Sequence, residues 1–243
     1  GGFIITWQSY NQGDNFYGIF GQRYSANGTP VGTEFHINSY TSGYQELSAV
    51  AGLVGGGFVV TWQSANQDGS GTGVYSQLFN ADGSVNGSEF LVNTATADDQ
   101  ANSAVTGLAD GGFVITWQSA NQDGSGSGIY AQAYDSDGTA VGGEFLINSE
   151  TSGSQAVPNI TGMPDGSFII TWASDPQDGS SYGVFAQHFV MDQAGQFNPT
   201  AINKHINSVW SLFFARNYMK LYDREYAKVN YTKQVNYGYN LSA

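Results

Sequence analysis

The chain has no cysteine, and only 11% of its 243 residues are charged, with seven Lys or Arg in all. The missing thiols exclude a disulfide framework, cysteine nucleophiles and thiolate zinc sites, and they leave the compartment unread from redox chemistry. No run approaches the roughly 20 consecutive apolar residues that a spanning helix needs. No signal-peptide pattern is visible. The chain opens at Gly1-Gly2-Phe3, in the middle of a repeat, so it reads as a processed or partial product of something longer. The few bases are also unevenly placed. Residues 1–203 hold eighteen Asp or Glu against Arg23 alone, a formal charge of −17, whereas residues 204–243 hold six bases against Asp223 and Glu225, for +4. An acidic body excludes nucleic-acid binding by phosphate neutralisation, and leaves divalent cations or a basic partner as charge-compatible ligands.

What is abundant is glycine, at 33 residues, together with aromatics at 14%. Such a composition folds, because aromatic and β-branched residues are too frequent for disorder. Its surface is clothed by Gly, Ser, Asn, Gln and Thr. The tetrapeptide Thr-Trp-Gln-Ser stands at 6–9, 61–64 and 116–119, with Thr171-Trp172-Ala173-Ser174 as a variant, always 55 residues apart. Gly18, Gly73, Gly128 and Gly183 keep the same step, as do Gln22, Gln77, Gln132 and Gln187, and later Gln45, Gln100 and Gln155. A repeat of about 50 residues with several short strands is the signature of a propeller blade or a stacked array.

One unit reads as four strands. Ser103–Leu108 is short and apolar and ends at the turn Ala109–Gly112. Phe113–Ser119 is rich in β-branched and aromatic residues. A polar loop leads to Ile129–Tyr134, the Asp135–Thr139 turn follows with Gly138 supplying positive φ, and Glu144–Asn148 is the fourth strand. Bulky side chains occupy both faces of the second strand, Phe113, Ile115 and Trp117 on one and Val114 and Thr116 on the other. A sheet sandwiched between two neighbours has that pattern, whereas a half-solvated sheet alternates. The fold expected is therefore all-β, a propeller-like array of four-stranded antiparallel blades over residues 1–207, in preference to a string of β-sandwiches or a solenoid.

The motifs Gly56–Ser64, Gln67–Gly71, Gly73–Gln77, Asp82-Gly83 and Glu89–Asn93 resemble the repeats of very large secreted bacterial proteins, which accompany haemolysin-type calcium-binding and FG-GAP-like repeats. The resemblance covers residues 1 to about 190. It implies an extracellular or cell-surface location and a structural or adhesive role. The strict calcium nonapeptide of haemolysin-type repeats is absent.

After Phe189 the register fades, although Ile202-Asn203 returns to the Ile-Asn column. Residues 208–243 form a separate tail of different composition. Trp210, Phe213, Phe214, Tyr218, Leu221, Tyr222 and Tyr226 recur at helical steps, and Arg216, Lys220, Arg224 and Lys228 form a basic stripe, so a short helix is expected, followed by an alternating strand from Tyr231 to Leu241. Trp210, Phe214, Arg216, Lys220, Arg224 and Lys228 are the partner-binding candidates. The tail either packs on the repeats or docks its bases on the acidic body of a neighbouring copy, through contacts that weaken as salt rises. Membrane contact is the least favoured reading, because Tyr outnumbers Leu and Ile on the apolar face.

Site candidates are few. Asn66 and Asp68, and Asn121 and Asp123, follow the Thr-Trp strands at the alternate-oxygen spacing of a calcium loop, and the third copy loses the middle ligand at Pro176 but has Asp175 and Asp178; each loop lacks the bidentate Glu of a tight site. Asx-type loops closed by side-chain-to-backbone bonds explain them better, and any Ca2+ would bind weakly. The Gln22 column is expected to satisfy backbone groups between strands. Trp7, Trp62, Trp117 and Trp172 sit in the most apolar strand and read as core, not as sugar platforms. Exposed loop aromatics suited to sugars are confined to Tyr10, Phe16, Tyr17 and Tyr182. His36, His188 and His205 share no catalytic or metal spacing, and the acids lie in loops. The chain is therefore expected to be a non-enzymatic structural or adhesive protein that contacts protein partners or itself through the tail. The alternatives are a glycan-binding propeller module, or a peripheral subunit docked on a membrane complex by the tail helix.

Overall fold

The computed structural model describes residues 1–12, 16–175 and 183–190 and the backbone of 206–207. Gly1–Val209 form one compact unit and Trp210–Ala243 a second. The helix and strand expected after residue 208, with the six partner candidates on them, lie outside the described residues.

Every regular element among the described residues is a strand. The first sheet comprises β1 (Gly2–Tyr10), β2 (Tyr17–Ser25) and β3 (Pro30–His36). The second comprises β4 (Gln45–Gly52), β5 (Phe58–Ala65), β6 (Thr72–Phe79) and β7 (Val85–Leu91). The third repeats it with β8 (Gln100–Gly107), β9 (Phe113–Ala120), β10 (Ser127–Tyr134) and β11 (Ala140–Leu146). The fourth holds β12 (Ser154–Gly162), β13 (Phe168–Asp175), β14 (Gly183–Phe189) and β15 (Ile206–Asn207). All pairings are antiparallel between sequential strands. The architecture is thus the all-β, propeller-like array that the 55-residue period predicts. The first strands of successive sheets, β4, β8 and β12, pack on one another along one side of the stack, as strands around a propeller axis do.

The outer strands begin and end earlier than composition suggests. β11 ends at Leu146, and Asn148 is already a connector whose Oδ1 accepts the Ile129 N–H at 2.6 Å. The fourth sheet departs more. Asn207 stands opposite Phe185 where Leu146 stands opposite Tyr130, so the outer strand of this unit comes 61 residues after its counterpart, not 55. The six extra residues displace the pairing from the Ile202-Asn203 column.

Each sheet has a front and a back. The front of the second sheet presents Phe58, Val60 and Trp62, which pack with Tyr75 and Phe79 on Ile4, Ile19 and Ile37 from the back of the first. The same contact recurs with Phe113, Ile115 and Trp117 on Val59, Val74 and Val92. It recurs again with Phe168, Ile170 and Trp172 on Val114, Ile129 and Ile147. Burying side chains of this size stabilises by about 1.5–3 kcal/mol each, and three such seams hold the stack. Trp62, Trp117 and Trp172 are core residues, as their strand predicts.

Polar columns tie one blade to the next. Asn93 Oδ1 accepts the Val74 N–H at 2.7 Å, its Nδ2 donates to the Ala95 carbonyl and to Gln100 Oε1, and Gln100 Nε2 donates to the Ala97 carbonyl and Ser119 Oγ. Asn38 with Gln45 and Asn148 with Gln155 repeat the network. The three glutamines are fully buried, and each amide is satisfied, which a buried polar group requires. Gln77 and Gln132 sit at irregularities between the third and fourth strands and donate to the carbonyls of Leu78 and Asn86 and of Ala133 and Val141. That is the backbone-satisfying role expected of the column.

Candidate functional site

The repeats are close copies, so a departure from the copy marks a site. Between the first and second sheets, Tyr10 and Tyr17 close the β1–β2 hairpin as a register pair, and their ring centroids lie 5.2 Å apart. Phe16 lies between them in sequence, just before Tyr17. Tyr44, just before β4, meets Phe16 at 5.1 Å and Tyr17 at 6.0 Å. Tyr10, Phe16 and Tyr44 are exposed. Three of the four loop aromatics singled out from sequence therefore converge; Tyr182 lies outside the described residues. Tyr44 was missed, although its step of 55 from Asp99 marks it as an aromatic outlier in an otherwise polar column.

Beside Tyr44 opens a shallow cleft of about 350 Å³, lined by Tyr44, Glu46, Gln63, Ala65 and Thr72. Its size falls at the lower end for small-molecule sites. Glu46 and Gln63 face each other across the β4–β5 ladder. Gln63 Oε1 also accepts the Asn102 N–H of the third sheet at 3.3 Å, which fixes the amide. The cleft thus combines aromatic faces with a carboxylate and an amide. Among the described residues it offers no cation: Arg23 donates to the carbonyls of Ala81 and Asp82 on the neighbouring hairpin.

A second feature escaped the sequence. Each first strand carries a bulge, at Leu47, Asn102 and Val157, where φ is +53°, +53° and +52°. The glutamine of the preceding Thr-Trp-Gln-Ser holds each bulge, Gln8 to Leu47 N–H at 2.9 Å and Gln118 to Val157 N–H at 3.1 Å. A β-branched residue at positive φ is a true backbone outlier. No glycine marks these points, so nothing local in the sequence announced them.

The calcium-loop candidates do not come together. Asn66 sits at φ +60° and closes its own loop through N–H to the Gly71 carbonyl at 2.6 Å, and Asp68 Oδ1 accepts the Ser70 N–H at 3.2 Å. In the next unit Asn121 Nδ2 donates to Asp98 at 3.0 Å, while Asp123 accepts from Ser125 N–H and Asn148 Nδ2. Asp175 ends β13, and Asp178 lies outside the described residues. Among the described residues no three His, Asp or Glu side chains gather at one point. The loops close through backbone bonds from Asn66 to Gly71 and from Asn121 to Gly126, with Asp68 and Asp123 each accepting a backbone N–H inside the turn. Beneath them, burial and then the nearby Asp68 and Glu89 raise the Tyr75 hydroxyl to about 12, and burial with Asp123 and Glu144 does the same for Tyr130. Both phenols stay neutral donors at any ordinary pH. His36 stacks on Phe20 in the first sheet and His188 lies on β14 in the fourth. No helix among the described residues is long and apolar enough to cross a membrane.

Comparisons with known proteins bear on the fold. The chain is similar in structure to the endo-arabinase from Bacteroides thetaiotaomicron VPI-5482, at 14% identity over 81% of this chain and 74% of that one, with a TM-score of 0.50. It is similar also to a protein of unknown function from Dyadobacter fermentans DSM 18053, at 8% identity over 82% of this chain and 64% of that one, with a TM-score of 0.56. A family of unknown function, the DUF5686 C-terminal domain, matches residues 188–243. No curated protein matches the sequence. One expectation needs correction here. The chain was expected not to be an enzyme, because its acids lie in loops and its histidines are scattered. The likeness of fold to an endo-arabinase speaks against that expectation, since acids in loops and scattered histidines do not by themselves exclude an enzyme.

Proposed function

We propose that this chain is a glycan-recognising propeller module whose binding surface is the aromatic cluster between its first two sheets together with the adjoining cleft on the second sheet. The observation that carries the reading is local: Tyr10, Phe16, Tyr17 and Tyr44 replace Ala65, Gly71, Thr72 and Asp99 of the next unit on the same backbone plan. Core packing does not ask for exposed rings at a rim. Sugar faces do, because their C–H surfaces lie against aromatic planes while the hydroxyls reach polar groups. Glu46 and Gln63 supply such groups. The −17 charge of residues 1–203 and the engagement of Arg23 with backbone carbonyls favour neutral glycans over uronic or sialic ones. The fold of the endo-arabinase is consistent with this class of ligand.

The test is a titration of the full chain with neutral arabinan and xylan oligosaccharides and with an oligogalacturonate, read by calorimetry and by reducing ends released. Binding of a neutral oligosaccharide that Tyr44→Ala weakens about tenfold supports the reading. Release of reducing ends that stops in Glu46→Gln extends it to hydrolysis, which needs a second carboxyl across the bond. Binding unaffected by Tyr44→Ala, or tightest for the anionic glycan, overturns it.

A further inference from the structure

Among the described residues nothing packs against the front of the first sheet. Phe3 and Ile5 are each 48% exposed, whereas their counterparts Phe113, Phe168, Val60, Ile115 and Ile170 are 0% exposed and Phe58 is 5%. Trp7 is half-buried where Trp62 and Trp117 are fully buried. The back of the fourth sheet shows the complementary departure. Val184 is 41% exposed and Ile169 and Thr171 are half-buried, whereas Val59, Val114, Thr61, Thr116, Val74 and Ile129 are all at 0%. The first strands agree. A Cβ on Gly107 or Gly162 would meet the carbonyl oxygen of the preceding sheet's glycine, Gly52 or Gly107, at 2.4 or 2.7 Å, but one on Gly52 would meet nothing within 4 Å. β1 also keeps one hydrogen-bonding edge unpaired among the described residues, since β2 is its single partner in the sheet.

We propose that the front of the first sheet, built by Phe3, Ile5 and Trp7, docks on the back of the fourth sheet of a second copy of this chain. The argument is continuity with an interface the molecule already uses three times. Front on back is how the described blades meet, and among the described residues the first sheet shows an exposed front and the fourth an exposed back. The two surfaces have the chemistry of the interior seams, Phe, Ile and Trp against Ile, Thr and Val. A contact between two different patches is heterologous, so it propagates head to tail. Apolar β surfaces and open edges of this kind are where sheets associate.

Its salt dependence separates this mode from docking by the basic tail. Both copies carry acidic repeats, and screening their repulsion strengthens an apolar seam. A contact between tail bases and body acids weakens under the same change.

The experiment is sedimentation of the full chain across the micromolar range at low and high salt, with Ile5→Asp and Val184→Asp separately and mixed. Both positions are exposed, so folding survives, and melting curves confirm it for each variant. The expected result is a wild-type chain that self-associates, more strongly at high salt. Each variant alone is weakened at least tenfold, because it buries a charge at the seam. An equimolar mixture stops at the dimer, since the intact back of Ile5→Asp meets the intact front of Val184→Asp. A monomeric wild type overturns the proposal, as do variants that assemble like wild type or a mixture that stays monomeric. Assembly that weakens with salt and ignores both variants assigns the contact to the tail instead, and overturns it equally.

Discussion

At the junction of the first and second sheets, Tyr10, Phe16, Tyr17 and Tyr44 stand where the junction of the second and third has Ala65, Gly71, Thr72 and Asp99. The backbone plan is shared: Asn11 and Asn66 both lie near φ +60°, and Tyr10↔Tyr17 and Ala65↔Thr72 are the same register pair. The plain junction is also closed to aromatics. A Cβ on Gly71 would lie 2.7 Å from the Asp98 carbonyl oxygen, and one on Gly126 would lie 2.3 Å from that of Gly153. Phe16 occupies the equivalent point in the first loop. The two junctions share a backbone plan, and one is aromatic where the other is narrowed at a glycine.

The largest expected effect separates the interior seams from the free front. Phe113→Ala removes a fully buried ring stacked at 4.9 Å on Tyr134 and is expected to cost about 3–5 kcal/mol. Phe3→Ala, in the same column, removes a half-solvated ring on Tyr24 and is expected to cost about 1 kcal/mol. Denaturant unfolding of the two variants reads both. Equal losses would mean that Phe3 is covered in solution, which the self-association measurement then has to explain.

Next comes the aromatic junction itself. Tyr17→Ala and Tyr44→Ala each remove one face of the cluster and are expected to weaken glycan binding about tenfold per ring, corresponding to 1.4 kcal/mol. Thr72→Ala, which lines the cleft without a ring, is expected to change affinity by less than about threefold. Calorimetry of the three variants ranks them. If Thr72 matters as much as Tyr44, the cleft works through hydrogen bonds and the stacking account fails.

The bulges give a smaller effect of opposite sign. Asn102 and Val157 share φ near +52° and the same glutamine clasp, yet asparagine tolerates that region and valine does not. Val157 is 67% exposed, so Val157→Asn gives up no core contact. It is expected to stabilise by about 1 kcal/mol, raising the melting temperature. A loss would show that the valine side chain is held by something at the axis, and would point to a ligand there.

How far these features were legible varies with their physical origin. The sheets were legible because alternation and turn chemistry are local: Asp82-Gly83 and Asp137-Gly138 close hairpins as any such pair does, and Phe113–Ser119 announces a two-faced strand. The Gln45 column was visible as a column, but its partners are Asn38 in the connector after β3 and Ser64 across the ladder on β5, and residue spacing alone does not bring those together, so its function was not. The aromatic site was half visible. Tyr10, Phe16 and Tyr17 were noticed and discounted as uneven, when unevenness was the signal, and Tyr44 reaches them only through the fold. The bulges at Leu47 and Val157 left no trace, since the clasp that forces positive φ is a glutamine 39 residues upstream. The reading against catalysis rested on acids in loops and histidines at unrelated positions, and what speaks against it is a likeness of fold to an endo-arabinase, which residue spacing does not carry.

The smallest expected effect compares hairpin turns that differ by one functional group. In the first unit Asn27 Oδ1 accepts the Thr29 N–H at 3.1 Å. In later units an aspartate does the work: Asp82 for Ser84, Asp137 for Thr139 and Asp165 for Ser167, each accepting the N–H at 2.9–3.0 Å and the hydroxyl at 2.6 Å. The hydroxyl bond, with the N–H beside it, holds all three carboxyls below the usual carboxylate range. Their folded pKa lies under the unfolded one, so the stabilisation is complete above about pH 4 and is lost as pH falls through the folded value. The loss per turn is small, because these carboxylates are solvated. NMR resolves it where unfolding curves do not. The amide shifts of Ser84, Thr139 and Ser167 are expected to titrate together below pH 4, while that of Thr29 stays flat, because an amide oxygen has no proton to gain there. A Thr29 shift that moves with the others would trace the change to the sheets and not to the turns. An unmoved Ser84 would mean that the hydroxyl, not the carboxylate, holds the turn.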